Sequence, residues 1–298
     1  MAGFKFLDGE GIFQNLYEKE GGTALLTQAQ NEELRERALQ MRGHIIKMLA
    51  ASKSGHPGGS LSAVDLLSYL YFYKMKVDPK NPQIPDRDRF ILSKGHAAPV
   101  LYAALAEKGY FEKDLICTLR KFKSILQGHP DMRKTPGVDI STGSLGQGLS
   151  VGNGIAIAGK IDQKPYRVYV LIGDGESEEG QIWEAAMTSV HYKLDNLTAF
   201  LDYNHLQIDG KIEDVKSFTE PATRFVAFGW HVIEIDGHNL DEIDQAVTEA
   251  EKTKGKPTMI IMHTTKGKGC SFMENQAGWH GKTPSSEEAA QALKELGL

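Results

Sequence analysis

Apolar positions along this chain follow two rhythms. Runs at 90–92, 166–172, 197–201, 230–235 and 259–262 are short, unbroken and rich in β-branched and aromatic residues, so they predict buried strands. Between them the apolar residues recur at helical spacing. Leu34, Ala38, Met41, Ile45 and Met48 mark a helix over 28–51. Leu66, Leu67 and Leu70 mark the next, with Ser62 and Asp65 placed as a capping box at its start. Ile182, Trp183, Ala186, Met187 and Val190 form another stripe, and helices are expected over 240–252 and 285–298. A further helix, after 141–148, carries Gly148, Gly152 and Ala156 on one face, where small residues let a backbone approach closely. Strand–helix alternation of this kind predicts an α/β fold, a mostly parallel sheet with helices on both faces. In such folds ligands bind beyond the carboxyl ends of the strands. One domain over 28–298 is the simplest division. Residues 1–27 have no clear period, and Phe4, Phe6, Leu7, Ile12, Phe13, Leu16 and Tyr17 suit an arm laid against a partner.

Composition narrows the function without deciding it. The 298 residues are 41% hydrophobic and 24% charged, and the net charge is −5. With no basic run, nothing points to nucleic acid. No apolar run reaches the length of a membrane span, and Met1–Gly11 lacks the apolar core of a signal peptide, so a cytoplasmic protein is expected. Cys117 and Cys270 have no metal-like spacing and fit a reducing compartment.

The candidate chemistry gathers at strand ends. The 166–172 run stops at Gly173-Asp174-Gly175, and the 197–201 run leads into Asp202-Tyr203-Asn204. A carboxylate and an amide oxygen at adjacent strand ends suit Mg2+, a hard cation that takes few protein ligands. Singly, Asp174 would cap the following helix and Asn204 would shape a turn. The segment Ser141-Thr142-Gly143-Ser144-Leu145-Gly146-Gln147-Gly148 offers backbone N–H groups to an anion at a helix start. It matches neither a Rossmann fingerprint nor a P-loop.

Four of the ten histidines, His56, His96, His129 and His280, neighbour glycine in loops reading GHPGG, KGHAA, GHPD and WHG. One such histidine is usually a turn residue, and their spacing is wrong for a local zinc motif. Four together suggest one polyol-handling pocket served by imidazoles that move protons near neutral pH. His44, His191, His205, His231, His238 and His263 read as structural or peripheral.

In their order along the chain, KSGHPGGS, SKGHAA, QGHPD, STGSLGQG, GDGESEEGQIWEAA, DYNHLQIDG and KGKGCSFMENQAGWHG resemble the transketolase family over about residues 28–284. The resemblance implies the diphosphate-binding half of a thiamine diphosphate enzyme that transfers a two-carbon ketol unit between sugar phosphates. By motif position Asp174, Asn204 and the Leu206 carbonyl match metal ligands for Mg2+, with Ca2+ or Mn2+ as substitutes. His96, Gly143, Ser144, Leu145, Gly173, Asp174, Gly175, Glu176, Asn204, Lys266 and His280 match positions around the cofactor. His56, His96, His129 and His280 match the histidines that bind the ketose and assist proton transfer. Glu179 and Glu184 resemble acidic residues linking paired active sites. Glu178 and His263 depart from the usual residues. The resemblance further implies a separate carboxy-terminal subunit carrying the pyrimidine domain, in an α2β2 assembly. Two alternatives are the α-chain of a 2-oxo acid dehydrogenase, which shares the GDG and Asn, and a non-catalytic regulatory homologue.

Overall fold

The computed structural model describes residues 5–7, 13–15, 26–216 and 218–298. In chain order its strands are β1 (Lys5–Leu7), β2 (Phe13–Asn15), β3 (Arg89–Leu92), β4 (Val168–Gly173), β5 (Leu197–Tyr203), β6 (Leu206–Gln207), β7 (Gly210–Lys211), β8 (His231–Asp236) and β9 (Thr258–His263). Its α-helices are α1 (Gln28–Ser52), α2 (Gly58–Leu61), α3 (Val64–Tyr69), α4 (Ala98–Lys108), α5 (Gln147–Ile161), α6 (Gly180–His191), α7 (Ile212–Val215), α8 (Pro221–Ala227), α9 (Leu240–Lys252) and α10 (Ser286–Glu295).

The main sheet runs β2-β1-β8-β9-β5-β4-β3, and β6 and β7 form a separate small hairpin. The five strands from β8 to β3 are parallel; β1 adds antiparallel to β8, and β2 to β1. Thus Lys5–Leu7 and Phe13–Asn15 extend this sheet edge, which the aperiodic sequence of that region does not announce. The rest of the arm expected over 1–27, with Phe4, Ile12, Leu16 and Tyr17, lies outside the described residues up to position 25.

Why the strand runs are continuously apolar is plain from their two faces. Tyr169 and Leu171 of β4 point into a core with α1, α3, α4 and α9. Val168, Val170 and Ile172 point the opposite way, against α5, α6 and α8. Alternate side chains therefore enter different cores, and neither face is left to water. Gly152 of α5 lies so close to β4 that a Cβ there would come within 2.6 Å of Val170. α1 begins at Thr27 with a capping box completed by Gln30. Among the described residues no helix is long and apolar enough to cross a membrane.

Two local expectations fail. The Ser62–Asp65 capping box does not form: α3 starts after Ala63 without a side-chain cap, and both residues are buried on other partners. Met187 is not part of the buried stripe of α6; it is 54% exposed while Ile182 and Ala186 are buried.

Candidate active site

The parallel strands place the glycine-flanked loops along one sheet edge. Three of the four imidazoles meet there: His56 and His96 lie 5.1 Å apart between ring centroids, His56 and His280 5.4 Å, and His96 and His280 5.1 Å. His56 turns out of the α1–α2 connection, His96 sits in a 3-10 turn after β3, and His280 follows a 3-10 turn at Ala277–Trp279. Gly58 and Gly95 permit this convergence. A Cβ on Gly58 would meet Lys266 at 2.9 Å, and one on Gly95 would meet the Gly143 nitrogen at 2.7 Å.

Burial, with help from neighbouring positive charge, holds these rings neutral. His56 is lowered to about 4 by burial and then by Arg120. His96 is lowered to about 2 by burial and then Lys94, and His280 to about 3 by burial and then Lys266. Among the described residues His56 Nδ1 is buried without a hydrogen-bond partner, an uncommon condition that suits a group meant to meet a ligand. His129 does not join the triangle. It is exposed overall and packs one side of its ring against Gly143, where a Cβ would come within 2.9 Å; that partial burial and then Arg120 lower its pKa. Tyr102 fixes its loop by donating to the carbonyls of Gln127, at 2.9 Å, and His129, at 3.1 Å.

Beside the triangle lies the acidic turn. Asp174 Oδ1 accepts the Gly175 N–H at 2.8 Å, and Oδ2 accepts that of His205 at 2.7 Å, which ties the end of β4 to the end of β5. Asn204 Oδ1 accepts the Leu206 N–H at 3.2 Å. The Leu206 carbonyl accepts from Lys266 Nζ at 2.9 Å, and the same ammonium donates to His280 Nδ1 at 2.9 Å. Burial, followed by the Asp202 carboxylate, pushes the Asp174 carboxyl up. Burial pushes the Lys266 ammonium down, against the pull of Asp174. One carboxylate, one amide and one carbonyl oxygen make a hard donor set. Among the described residues no group of three or more His, Cys, Asp or Glu is arranged to hold a metal, so a cation here would take its remaining ligands from elsewhere.

Other expected positions serve different parts of this edge. Gly143, Ser144 and Leu145 lie on the loop before α5, with Ser144 and Leu145 exposed. Glu176 is drawn inward, and both of its oxygens are used: it accepts from Ser93 Oγ, from the Gly146 N–H at 2.9 Å and from the Gly173 N–H at 3.0 Å. It braces the glycine loop against the GDG turn. Glu179 and Glu184 lie exposed. Of the histidines read as peripheral, His205 supplies the N–H that holds Asp174, and His238 bridges the Asp65 carboxylate to the loop bearing Lys266.

Sequence reasoning passed over the residues beneath the site. Lys94 and Asp202, both buried, form an ion pair. Asp202 also accepts from Ser62 Oγ at 2.6 Å and from Thr264 Oγ1. Burial raises the Asp202 carboxyl, but Lys94 and the two hydroxyls outweigh it and hold the group below the usual carboxylate range. The available signal was chemical: a Lys inside SKGH and an Asp at a strand end are charges that a sheet covered on both faces cannot bury singly.

Residues 35–298 match the family described as transketolase, thiamine diphosphate binding domain. The chain is 49% identical, over 87% of its length and 96% of that protein, to the 6-deoxy-6-sulfo-D-fructose transketolase subunit of a Clostridium species. It is 44% identical to an apulose-4-phosphate transketolase subunit of Phocaeicola vulgatus, over 90% of this chain and 95% of that one. The solved transketolase of Campylobacter jejuni superposes with a TM-score of 0.84 at 34% identity, covering 90% of this chain and 43% of that one. The chain thus spans under half of that solved enzyme but nearly all of the two subunits. These matches favour a transketolase over a 2-oxo acid dehydrogenase α-chain. The chain belongs to the transketolase family, as a subunit of its N-terminal, thiamine diphosphate-binding type.

Proposed function

We propose that this chain is the diphosphate-binding half of a two-subunit transketolase, moving a two-carbon ketol unit from a ketose or ketose phosphate donor to an aldose or aldose phosphate acceptor. The reading is carried by one observation: three neutral imidazoles converge beside the Asp174–Asn204 turn. Asp174, Asn204 and the Leu206 carbonyl would hold Mg2+ against the diphosphate, which fits their hard-oxygen chemistry. When bound, thiamine diphosphate supplies the electron sink that carbon–carbon cleavage requires. The protein's own share is placement and proton handling. His56, His96 and His280 are uncharged at neutral pH; His56 and His96 would each offer a lone pair to a hydroxyl proton, and His280, its Nδ1 taken by Lys266, would offer an N–H to the sugar. His129, on the exposed side, would bind the sugar.

A partner subunit carrying the pyrimidine domain completes the site, in an α2β2 assembly. That two similar subunits are named for 6-deoxy-6-sulfo-D-fructose and for apulose 4-phosphate supports an uncommon donor ketose here. The test is to co-express this chain with a candidate partner and assay ketol transfer with thiamine diphosphate and Mg2+, for each chain and for the mixture. Activity is expected only in the mixture. Full activity from this chain by itself would overturn the half-site reading.

A further inference from the structure

Asp202 lies near the end of the buried strand β5, and it collects donors from three other segments and one from its own. Lys94 Nζ comes from the loop after β3, Ser62 Oγ from the turn before α3, and Thr264 Oγ1 from the loop after β9. The fourth is Asn204 Nδ2, at 3.3 Å. Lys94 Nζ also donates to the Gly59 carbonyl at 2.7 Å, which joins the segment after His56 to the one before His96. A buried ion pair contributes little net stability compared with an apolar replacement of similar volume, because both charges must lose their water. Donors converging from three distant loops are better understood as alignment.

We infer that the Asp202–Lys94 pair is a positioning element that fixes which way the Asn204 amide faces. An ionised carboxylate only accepts, so the NH2 of Asn204 must turn toward Asp202. Its oxygen is thereby left on the other side, facing the Leu206 N–H, the orientation that a metal ligand needs. Replacing Asp202 by Leu removes the acceptor that holds that NH2. The Asn204 amide can then make a half-turn, which presents donors where a cation requires an oxygen. Outer partners that orient metal ligands commonly affect metal affinity by about 10–100-fold.

The inference rests on the metal site proposed above, and the experiment separates the two. Mn2+ binding to the full chain with thiamine diphosphate is measured by electron paramagnetic resonance for wild type, D202L and D202L/K94M, alongside thermal unfolding. The double variant leaves no uncompensated charge. It is expected to keep its melting temperature within a few degrees while losing about ten-fold or more in Mn2+ affinity. Wild-type Mn2+ affinity in the folded double variant would overturn the positioning role and leave the metal site standing. No Mn2+ binding by wild type would overturn the metal site and this inference with it. If neither variant folds, the pair is a stability element and the inference fails.

Discussion

The Lys266 ammonium sets the tautomer of His280. Its Nζ lies 2.9 Å from His280 Nδ1 and can only donate, so Nδ1 accepts and the ring proton sits on Nε2. That imidazole therefore turns an N–H away from Lys266 while staying neutral, since burial first and the Lys266 charge second lower its pKa to about 3. K266M removes the second cause and leaves the first. The His280 pKa, followed by NMR of the ring protons, should rise yet remain below the ordinary value of about 6.5. A pKa that does not move would show that Lys266 does not control this ring.

Asp174 is the one carboxylate among the three expected metal ligands, and backbone N–H groups hold both of its oxygens in place. D174N keeps an acceptor for one of those N–H groups but removes the charge. Calorimetric titration with thiamine diphosphate and Mg2+ should show affinity lower by about ten-fold or more, about 1.4 kcal/mol. Wild-type affinity in D174N would remove Asp174 from the metal site.

Neutral burial of three histidines gives stability a direction in pH. An unfolded histidine takes up its proton near pH 6.5, whereas in the fold His56 waits until about 4, His280 about 3 and His96 about 2. Over that interval the unfolded chain binds more protons than the native one. This contribution is therefore intact above about pH 6.5 and is lost as pH falls toward 4. Melting temperature should drop over that range in wild type, and less steeply in H96N/H280N. Parallel curves for the two proteins would refute the assignment.

How far the sequence discloses this arrangement follows from which interactions are local. Strand runs are legible because both sheet faces are covered, so Val168 through Ile172 need no alternation. GDG and the glycine-flanked histidines are legible because the close approaches at Gly58 and Gly95 demand glycine. What stays hidden joins distant segments. Ser62 and Asp65 carry the spacing of a helix cap, yet each finds a stronger partner far along the chain, Asp202 for one and Arg42 with His238 for the other. Glu176 and Lys94 look like loop polarity until the loops are folded over them. Local pattern predicts a local bond, and here long-range charge pairs win.

The same competition yields a prediction at Asp65. Its carboxylate accepts from Arg42 at 3.1 and 2.7 Å and from His238 Nδ1 at 2.7 Å. His238 Nε2 in turn accepts the Thr265 N–H at 2.9 Å, and Arg42 Nε donates to the Lys268 carbonyl at 3.3 Å. Both arms of this brace end on the loop that holds Lys266. Burial raises the Asp65 carboxyl, but Arg42 and His238 more than offset it and hold the group below its usual range. Removing Arg42 strands that charge, so R42M should destabilise the fold by about 3–5 kcal/mol, read from urea unfolding at pH 7. R42M/D65N removes both charges and should recover much of that loss. H238Q can still offer an oxygen to the Thr265 N–H while giving up the Asp65 contact. It should cost about 1–3 kcal/mol and disturb Lys266 less than H238A does. Equal His280 pKa values in H238Q and H238A would show that the brace does not reach the site.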